Sequence, residues 1–252
     1  MNTLTKIFRR VQKARILGNM RDASRPKLAR VGTQNGGWHI PASAIRPGMT
    51  AVCVGAGEDI SFDVELNKKG MIVFTLDPTP RAKKHVEQVL TAASSGGTMA
   101  INNSSTEHYD LSGFDRTRFT FVDAGMWDED KVTEFFAPKD PSHVSHSIVN
   151  LQRTSESFEA RCLRLQTFCR SYNIAEPDIL KLDIEGAEYT VLKDLARSGL
   201  RPRVLCVDFD EGNVPADGDY LTRIADSIRS LKELGYRFLH MDGWNFLFVL
   251  AQ

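Results

Sequence analysis

The sequence predicts an α/β fold: a mostly parallel sheet with helices on both faces, closed at the C-terminal end by an antiparallel hairpin. Three observations predict it. Short apolar runs at 51–54, 71–76, 118–122, 178–182 and 203–207 end in a glycine turn or an acid, and most lead into helical periodicity. The first run stops abruptly at Gly55-x-Gly57, which reads as a buried strand entering a tight turn. Finally, strand-like runs at 236–241 and 244–250 flank Asp242-Gly243, a pair that favours a tight hairpin.

At 252 residues the chain suffices for one large α/β domain, and a second complete domain is not required. The boundaries read as a basic N-terminal arm over 1–35 and the α/β domain over 36–252. Lys and Arg number 32, as do Asp and Glu, so no net charge points to a nucleic-acid partner. Cys53, Cys162, Cys169 and Cys206 are dispersed without C-x-x-C spacing, which suits reduced, buried thiols in a cytoplasmic protein. No run approaches the roughly 18 apolar residues of a membrane span, and no signal-peptide core follows the basic start.

Taken in order, the arm carries Lys6, Arg9, Arg10, Lys13, Arg15, Arg21, Arg25, Lys27 and Arg30 against Asp22, with Ile7, Phe8 and Val11 at helical spacing. Such an arm suits peripheral contact with an anionic membrane or an acidic partner; the alternative is a solvated helix packed on the core. Gly36 to Pro41 is a turn into an edge strand, and Arg46-Pro47-Gly48 a turn into the first core strand. Beyond Gly57, Ile60, Val64 and Leu66 make one face of a short helix capped by Asp59 or Ser61. The turn is expected to expose backbone N–H groups, and its glycines to let a ligand approach the backbone.

The second strand ends at Asp77, 20 residues beyond Gly57. Asp77 either accepts both hydroxyls of a ribose or caps the helix after Pro78-Thr79-Pro80. The glycine pattern separates the nucleotides. A dinucleotide site carries a third glycine where this chain has Ile60, and Glu58 and Asp59 put negative charge where a pyrophosphate needs positive potential. The cationic sulfonium and amino group of S-adenosylmethionine suit that turn better.

A helix follows over 80–93, and the polar segment 98–116 yields no definable strands. The third core strand ends at Asp123-Ala124-Gly125, where Asp123 is either a partner for an adenine amino group or an ordinary turn aspartate. An extra strand over 132–136 leads into a Pro- and Ser-rich loop holding His143 and His146, candidates for a base or for substrate binding. They lack a nearby third ligand, so no metal site is read. A strand over 158–163 and a helix through Leu165, Phe168, Cys169 and Tyr172 precede the strand that presents Asp183 and Glu185. The next helix runs to Ser198, and Gly199 stops it. Acids recurring at strand ends, Asp77, Asp123, Asp183 and Asp208, are costly unless they share a cleft, and open parallel sheets bind ligands at their carboxyl edge. After a helix through Leu221, Ile224, Ile228, Leu231 and Leu234, the terminal hairpin departs from the all-parallel dinucleotide fold and matches the Rossmann-like sheet of class I methyltransferases.

Four segments, Val54-Gly-Ala-Gly-Glu-Asp-Ile-Ser-Phe62, Leu76-Asp-Pro-Thr-Pro-Arg81, Pro141-Ser-His-Val-Ser-His-Ser147 and above all Leu180-Lys-Leu-Asp-Ile-Glu-Gly-Ala-Glu-Tyr189, resemble the FkbM-type family of S-adenosylmethionine-dependent methyltransferases over roughly 36–250. The resemblance implies O-methylation of a hydroxyl on a sugar, glycolipid or polyketide-like acceptor. Donor binding is expected at Gly55, Ala56, Gly57, Glu58, Asp59, Asp77, Pro78, Asp123, Ala124 and Asp183. Asp183 and Glu185 then face the methionine end or the acceptor, and the base is His143, His146 or Asp210, in that order. Family members often read Glu-x-His where this chain has Asp208-Phe209-Asp210, which leaves the base open. The competing readings are a catalytically silent methyltransferase-like binding module in glycan assembly and an NAD-dependent oxidoreductase.

Overall fold

The structure, a computed structural model, describes residues 11, 13–14, 17–22, 26–101, 107–140, 146–150 and 152–251. In chain order its elements are β1 (Leu28–Val31), β2 (Trp38–Pro41), β3 (Thr50–Val54), α1 (Ser61–Lys68), β4 (Ile72–Leu76), α2 (Pro80–Ala93), β5 (Thr98–Ala100), β6 (His108–Asp110), β7 (Phe119–Val122), β8 (Gly125–Met126), β9 (Lys131–Phe136), β10 (Ser157–Leu163), α3 (Leu165–Ser171), β11 (Ile179–Leu182), α4 (Glu188–Ser198), β12 (Val204–Asp208), α5 (Tyr220–Glu233), β13 (Tyr236–Asp242) and β14 (Asn245–Leu250).

Seven strands form the central sheet in the order β13-β14-β12-β11-β3-β4-β7. All neighbours pair in parallel except β14, which runs antiparallel to both β12 and β13. The chain therefore winds outward from β3 through β4 to β7, then returns to the other side of β3 for β11 and β12. This reversal of strand order lies between β3 and β11, where open α/β sheets form a crevice at the carboxyl ends of their strands.

The alternation along each strand sorts the core into two layers. Val52, Val54, Leu180, Leu182, Leu205 and Val207 join the cluster that includes α3, α4 and α5, whereas Ala51, Cys53, Ile179, Val204 and Cys206 join the one that includes α1 and α2. All four cysteines are buried free thiols. No helix among the described residues is long and apolar enough to cross a membrane.

Several local expectations are refined. The terminal hairpin turns at Gly243-Trp244, one residue later than the Asp242-Gly243 reading, because Asp242 pairs with Asn245. Gly243 has φ +57° and Trp244 is not left-handed, the pattern of a hairpin turn with positive φ at its first central position only. The N-cap of α1 is Ile60; Asp59 contributes from one residue earlier, its Oδ1 accepting from the Ser61 amide at 2.8 Å. The segment 98–116 holds the antiparallel pair β5-β6. The strands β9 and β10 belong to a separate three-stranded sheet, β8-β10-β9.

The proposed boundary at residue 35 falls inside the β1-β2 hairpin, whose Val31, Trp38 and Ile40 are part of the core. Of the arm's cations, Lys6, Arg9, Arg10, Arg15 and Arg25 lie outside the described residues. Leu17 is wholly buried in the main core, worth about 1.5–3 kcal/mol for such a side chain. Lys13 sits with its ammonium 3.7 Å from the Trp244 ring centroid and donates to the Gly243 carbonyl. Burial, against the pull of Asp208 and Asp242, lowers its pKa to about 8.

Candidate active site

Gly55 and Gly57 adopt φ +89° and +51°, a region that an L side chain resists. Gly55 is constrained from outside as well: a Cβ there would lie 1.9 Å from the Asp183 carbonyl oxygen. The end of β3 is thus seated directly on the end of β11. The Asp183 amide donates to the Val54 carbonyl at 3.1 Å, and the Gly55 amide to that of Leu76 at 2.9 Å.

Asp77 clamps this turn from the end of β4. Its Oδ2 accepts from the Ala56 and Gly57 amides at 2.9 and 3.1 Å, and its Oδ1 from the Thr79 amide and hydroxyl at 2.8 and 2.6 Å. Four donors fill the acceptor capacity of one carboxylate. Asp77 therefore fixes the geometry of the turn itself, a role that neither sequence alternative contained.

The same bonds overturn the expectation of exposed amides. Ala56 and Gly57 donate to Asp77, Ile60 to the Tyr109 hydroxyl at 2.9 Å, and Ser61 to Asp59. Nor is the turn as acidic as its composition suggests. Arg81 of α2 bonds both carboxylate oxygens of Glu58, at 2.8 and 3.4 Å, and Asp59 Oδ2 accepts from the Thr33 hydroxyl at 2.6 Å.

Beneath the turn lies Lys181, a charge in the interior of a buried strand. Its ammonium donates to the Gly55 carbonyl at 2.6 Å and pairs with Asp183 Oδ2 at 3.3 Å. Burial opposes its charge, but Asp183 and Asp63 outweigh it, and the pKa lies above the ordinary lysine value. Asp63, buried in α1, is raised by its own desolvation, against Lys181 and a 2.5 Å hydrogen bond from the Thr75 hydroxyl. Lys181 was absent from the sequence-predicted site, yet its signal was present: a lysine among Ile179, Leu180 and Leu182 needs buried partners.

After β11 the loop that carries Asp183 and Glu185 turns through two left-handed residues, Glu185 at φ +56° and Gly186 at +96°. Such strain in a non-glycine residue persists only where its surroundings hold it. Glu188 holds it from behind, Oε1 accepting from the Ile184 and Gly186 amides at 3.0 and 3.2 Å, while the Ser147 hydroxyl donates to the Glu185 carbonyl at 2.5 Å. The far wall comes from the small sheet. Phe135 stacks on Phe158 at 5.7 Å, and His146 meets Phe158 edge-on at 5.5 Å.

These elements enclose a cavity of about 440 Å³. Ten of the sequence-predicted residues line it: Gly55, Ala56, Gly57, Glu58, Asp59, Asp77, Pro78, Asp183, Glu185 and His146, joined by Lys181, Met126, Phe135 and Ile148. Asp123 and Ala124 do not. Asp123 is half exposed and pairs with Lys83 of α2 at 2.7 Å, and Ala124 is buried in the main core, while the next two residues, Gly125 and Met126, reach the cavity. Asp210 lies in a neighbouring small pocket with Ser147 and Glu185. His143 lies outside the described residues. Behind this wall, burial and the carboxylates of Asp183 and Asp210 push the Asp208 carboxyl well above its ordinary range, against Lys181 and Lys13.

The cavity has a chemical bias. Glu58, Asp59, Asp77, Asp183 and Glu185 line it; Arg81, outside the lining, offsets Glu58 and Lys181 offsets Asp183, so five carboxyl groups stand against two cations. A pyrophosphate would need N–H donors that the turn has already committed; a sulfonium and an ammonium need acceptors and negative potential, which it supplies. The residues fit S-adenosylmethionine.

Comparison with known proteins agrees. No curated protein matches the chain. Among solved structures, a fibrillarin pre-rRNA processing protein from Methanococcus jannaschii aligns at 9% identity and TM-score 0.43, covering 82% of this chain and 68% of its own. A precorrin-6y C5,15-methyltransferase from Geobacter metallireducens GS-15 aligns at 12% and 0.39, covering 82% and 83%. A magnesium protoporphyrin IX methyltransferase from Synechocystis PCC 6803, with bound S-adenosylmethionine, aligns at 12% and 0.41, covering 81% and 71%. These scores are low, and the assignment rests on the family model described as the methyltransferase FkbM domain, which matches residues 51–238, from β3 into β13. The chain belongs to the FkbM family of S-adenosylmethionine-dependent methyltransferases.

Proposed function

We propose that this enzyme moves a methyl group from S-adenosylmethionine to a hydroxyl of a sugar, glycolipid or polyketide-like acceptor. The observation that carries the reading is the single cavity in which the Asp77-clamped glycine turn, the Asp183–Glu185 loop and the aromatic wall of the small sheet meet. When bound, S-adenosylmethionine supplies a methyl group activated by the positive sulfur. The glycine turn and Pro78 hold the nucleoside side; Asp183 and Glu185 set the negative potential that suits the charged end. Phe135, Met126 and Ile148 exclude water from the transfer, and alignment with exclusion of water accounts for most catalysis in a displacement of this kind.

His146 is the base in this scheme. It borders the same cavity, and its contact with Phe158 sets the ring. Removing the hydroxyl proton contributes on the order of 10²–10⁴-fold. With an acceptor in hand, His146→Ala is expected to lower kcat within that range and to leave the affinity for S-adenosylhomocysteine within about twofold; full turnover in the variant would remove His146 from the chemistry. A reducing cytoplasmic setting suits the four buried thiols.

Calorimetric titration with S-adenosylmethionine, S-adenosylhomocysteine and, as control, NAD tests the donor. Micromolar binding of the first two and none of NAD is expected. Asp77→Asn keeps the shape of the side chain but turns an amide NH₂ toward donors, so binding should weaken about 10- to 100-fold with a stability loss of about 1–3 kcal/mol. A folded parent that binds no donor would favour the silent binding module instead.

A further inference from the structure

The donor turn is braced from a direction that the transfer scheme does not use. Tyr109, in β6, is 2% exposed, and its hydroxyl stands between two partners, the Ile60 amide at 2.9 Å and His85 Nε2 at 2.7 Å. Ile60 follows Glu58 and Asp59 directly and is the N-cap residue of α1, so its amide begins the set that finds no partner within the helix. His85, 1% exposed, belongs to α2, the helix that leaves the Asp77 loop.

The Ile60 N–H donates, so the tyrosine oxygen accepts there. The second bond runs from the tyrosine O–H to Nε2 or from Nε2–H to the tyrosine oxygen according to the His85 tautomer, and the buried Nδ1 makes no hydrogen bond in either case. Burial lowers the pKa of His85, against Glu58 and Asp59, which agrees with a neutral ring.

We propose that Tyr109 and His85 are positioning residues of the donor site: together they form a hydrogen-bonded strut from α2 to the foot of the Glu58-Asp59 turn, and so fix the spacing of the two loops, 55–59 and 77–79, between which the donor binds. The proposal rests on the donor reading above. Phenylalanine at 109 would fill the same volume, so the strut depends on one oxygen atom and not on packing. It also gives the β5-β6 pair, outside both the central and the small sheet, a role at the site.

The test is S-adenosylhomocysteine affinity by calorimetry in the full chain, with Tyr109→Phe, His85→Leu, His85→Gln and the double variant Tyr109→Phe/His85→Leu. Tyr109→Phe should weaken binding roughly tenfold, the equivalent of one lost hydrogen bond, and His85→Leu similarly. His85→Gln, whose carbonyl can accept the tyrosine O–H, should restore most of what His85→Leu loses. The double variant should be no weaker than Tyr109→Phe alone, because both changes break one strut. Hydrogen exchange at the Ile60 amide should quicken in Tyr109→Phe. Equal affinity of parent and Tyr109→Phe, or of His85→Gln and His85→Leu, overturns the strut and leaves the donor reading standing. A parent that binds no S-adenosylhomocysteine overturns the donor reading, and the strut's function with it. Should Tyr109→Phe fail to fold, the two His85 variants decide the matter.

Discussion

Gly55→Ala is expected to abolish measurable donor binding and to cost the fold about 3 kcal/mol or more. Two penalties combine. The residue sits at φ +89°, and its new Cβ would lie 1.9 Å from the Asp183 carbonyl oxygen and 2.9 Å from its carbon. Those are backbone atoms, so no side chain can swing aside; β3 and β11 must separate at their ends, which pulls apart the Lys181 bond to the Gly55 carbonyl and shifts the Asp183–Glu185 loop. Gly48→Ala is the control. Its φ is +79°, yet its Cβ would meet nothing within 4 Å, so it carries the conformational penalty alone, about 1 kcal/mol, and should leave donor affinity unchanged. Urea unfolding of both variants with calorimetric titration separates the terms. A Gly55→Ala protein as stable as Gly48→Ala would show that the two strand ends part freely.

Lys181→Met should be the most destabilising change that preserves side-chain length. Methionine fills much the same volume, but the Gly55 carbonyl loses its donor, Asp183 loses its ion pair and Asp63 loses the positive charge that lowers its pKa, and breaking a buried pair in this way costs about 3–5 kcal/mol. The loss should depend on pH. Asp63 already has a raised pKa from burial, and without Lys181 it rises further. A carboxyl whose folded pKa exceeds its unfolded one binds more protons in the native state, so stability falls as pH climbs from about 4 toward the folded value. The variant should therefore be closest to the parent in acid and furthest from it above neutrality. Adding Asp63→Asn, which keeps an acceptor for the Thr75 hydroxyl, should recover part of the loss at pH 8 and little at pH 5. Equal losses at both pH values, with no recovery, would show that packing and not charge is at stake.

Much of this arrangement is legible in the chain because its signals are local. The run into Gly55-x-Gly57, the acid closing β4 and the β11 strand with its acids each sit within a dozen residues, and sequence places them correctly; the terminal hairpin is found as well, with its turn one residue off. What escapes it depends on partners far along the chain. Asp77 at a strand end looks the same whether it waits for a ribose or holds the Ala56 amide 21 residues away. Asp123 closes β7 where the sequence has it, and only the fold shows that Lys83, 40 residues earlier, pairs with its carboxylate. Tyr109 lies in a polar stretch without periodicity, and only the fold brings its hydroxyl to Ile60, 49 residues away. The hairpin slipped by one residue because Asp-Gly and Gly-Trp both allow a tight turn, and cross-strand register decides between them.

The small sheet shares no strand with the seven that build the glycine turn. It joins the rest of the fold through the link 123–124 after β7, through Arg164 into α3, through Met126 and Leu163 in the main core, and through the Ser147 hydroxyl on the Glu185 carbonyl. The two halves of the cavity are therefore built by different sheets that meet at a packed seam. Substitutions along β9 and β10 can re-cut the surface around Phe135 and His146 without disturbing an amide that Asp77 holds. The surface opposite the glycine turn can thus change while the turn stays as it is.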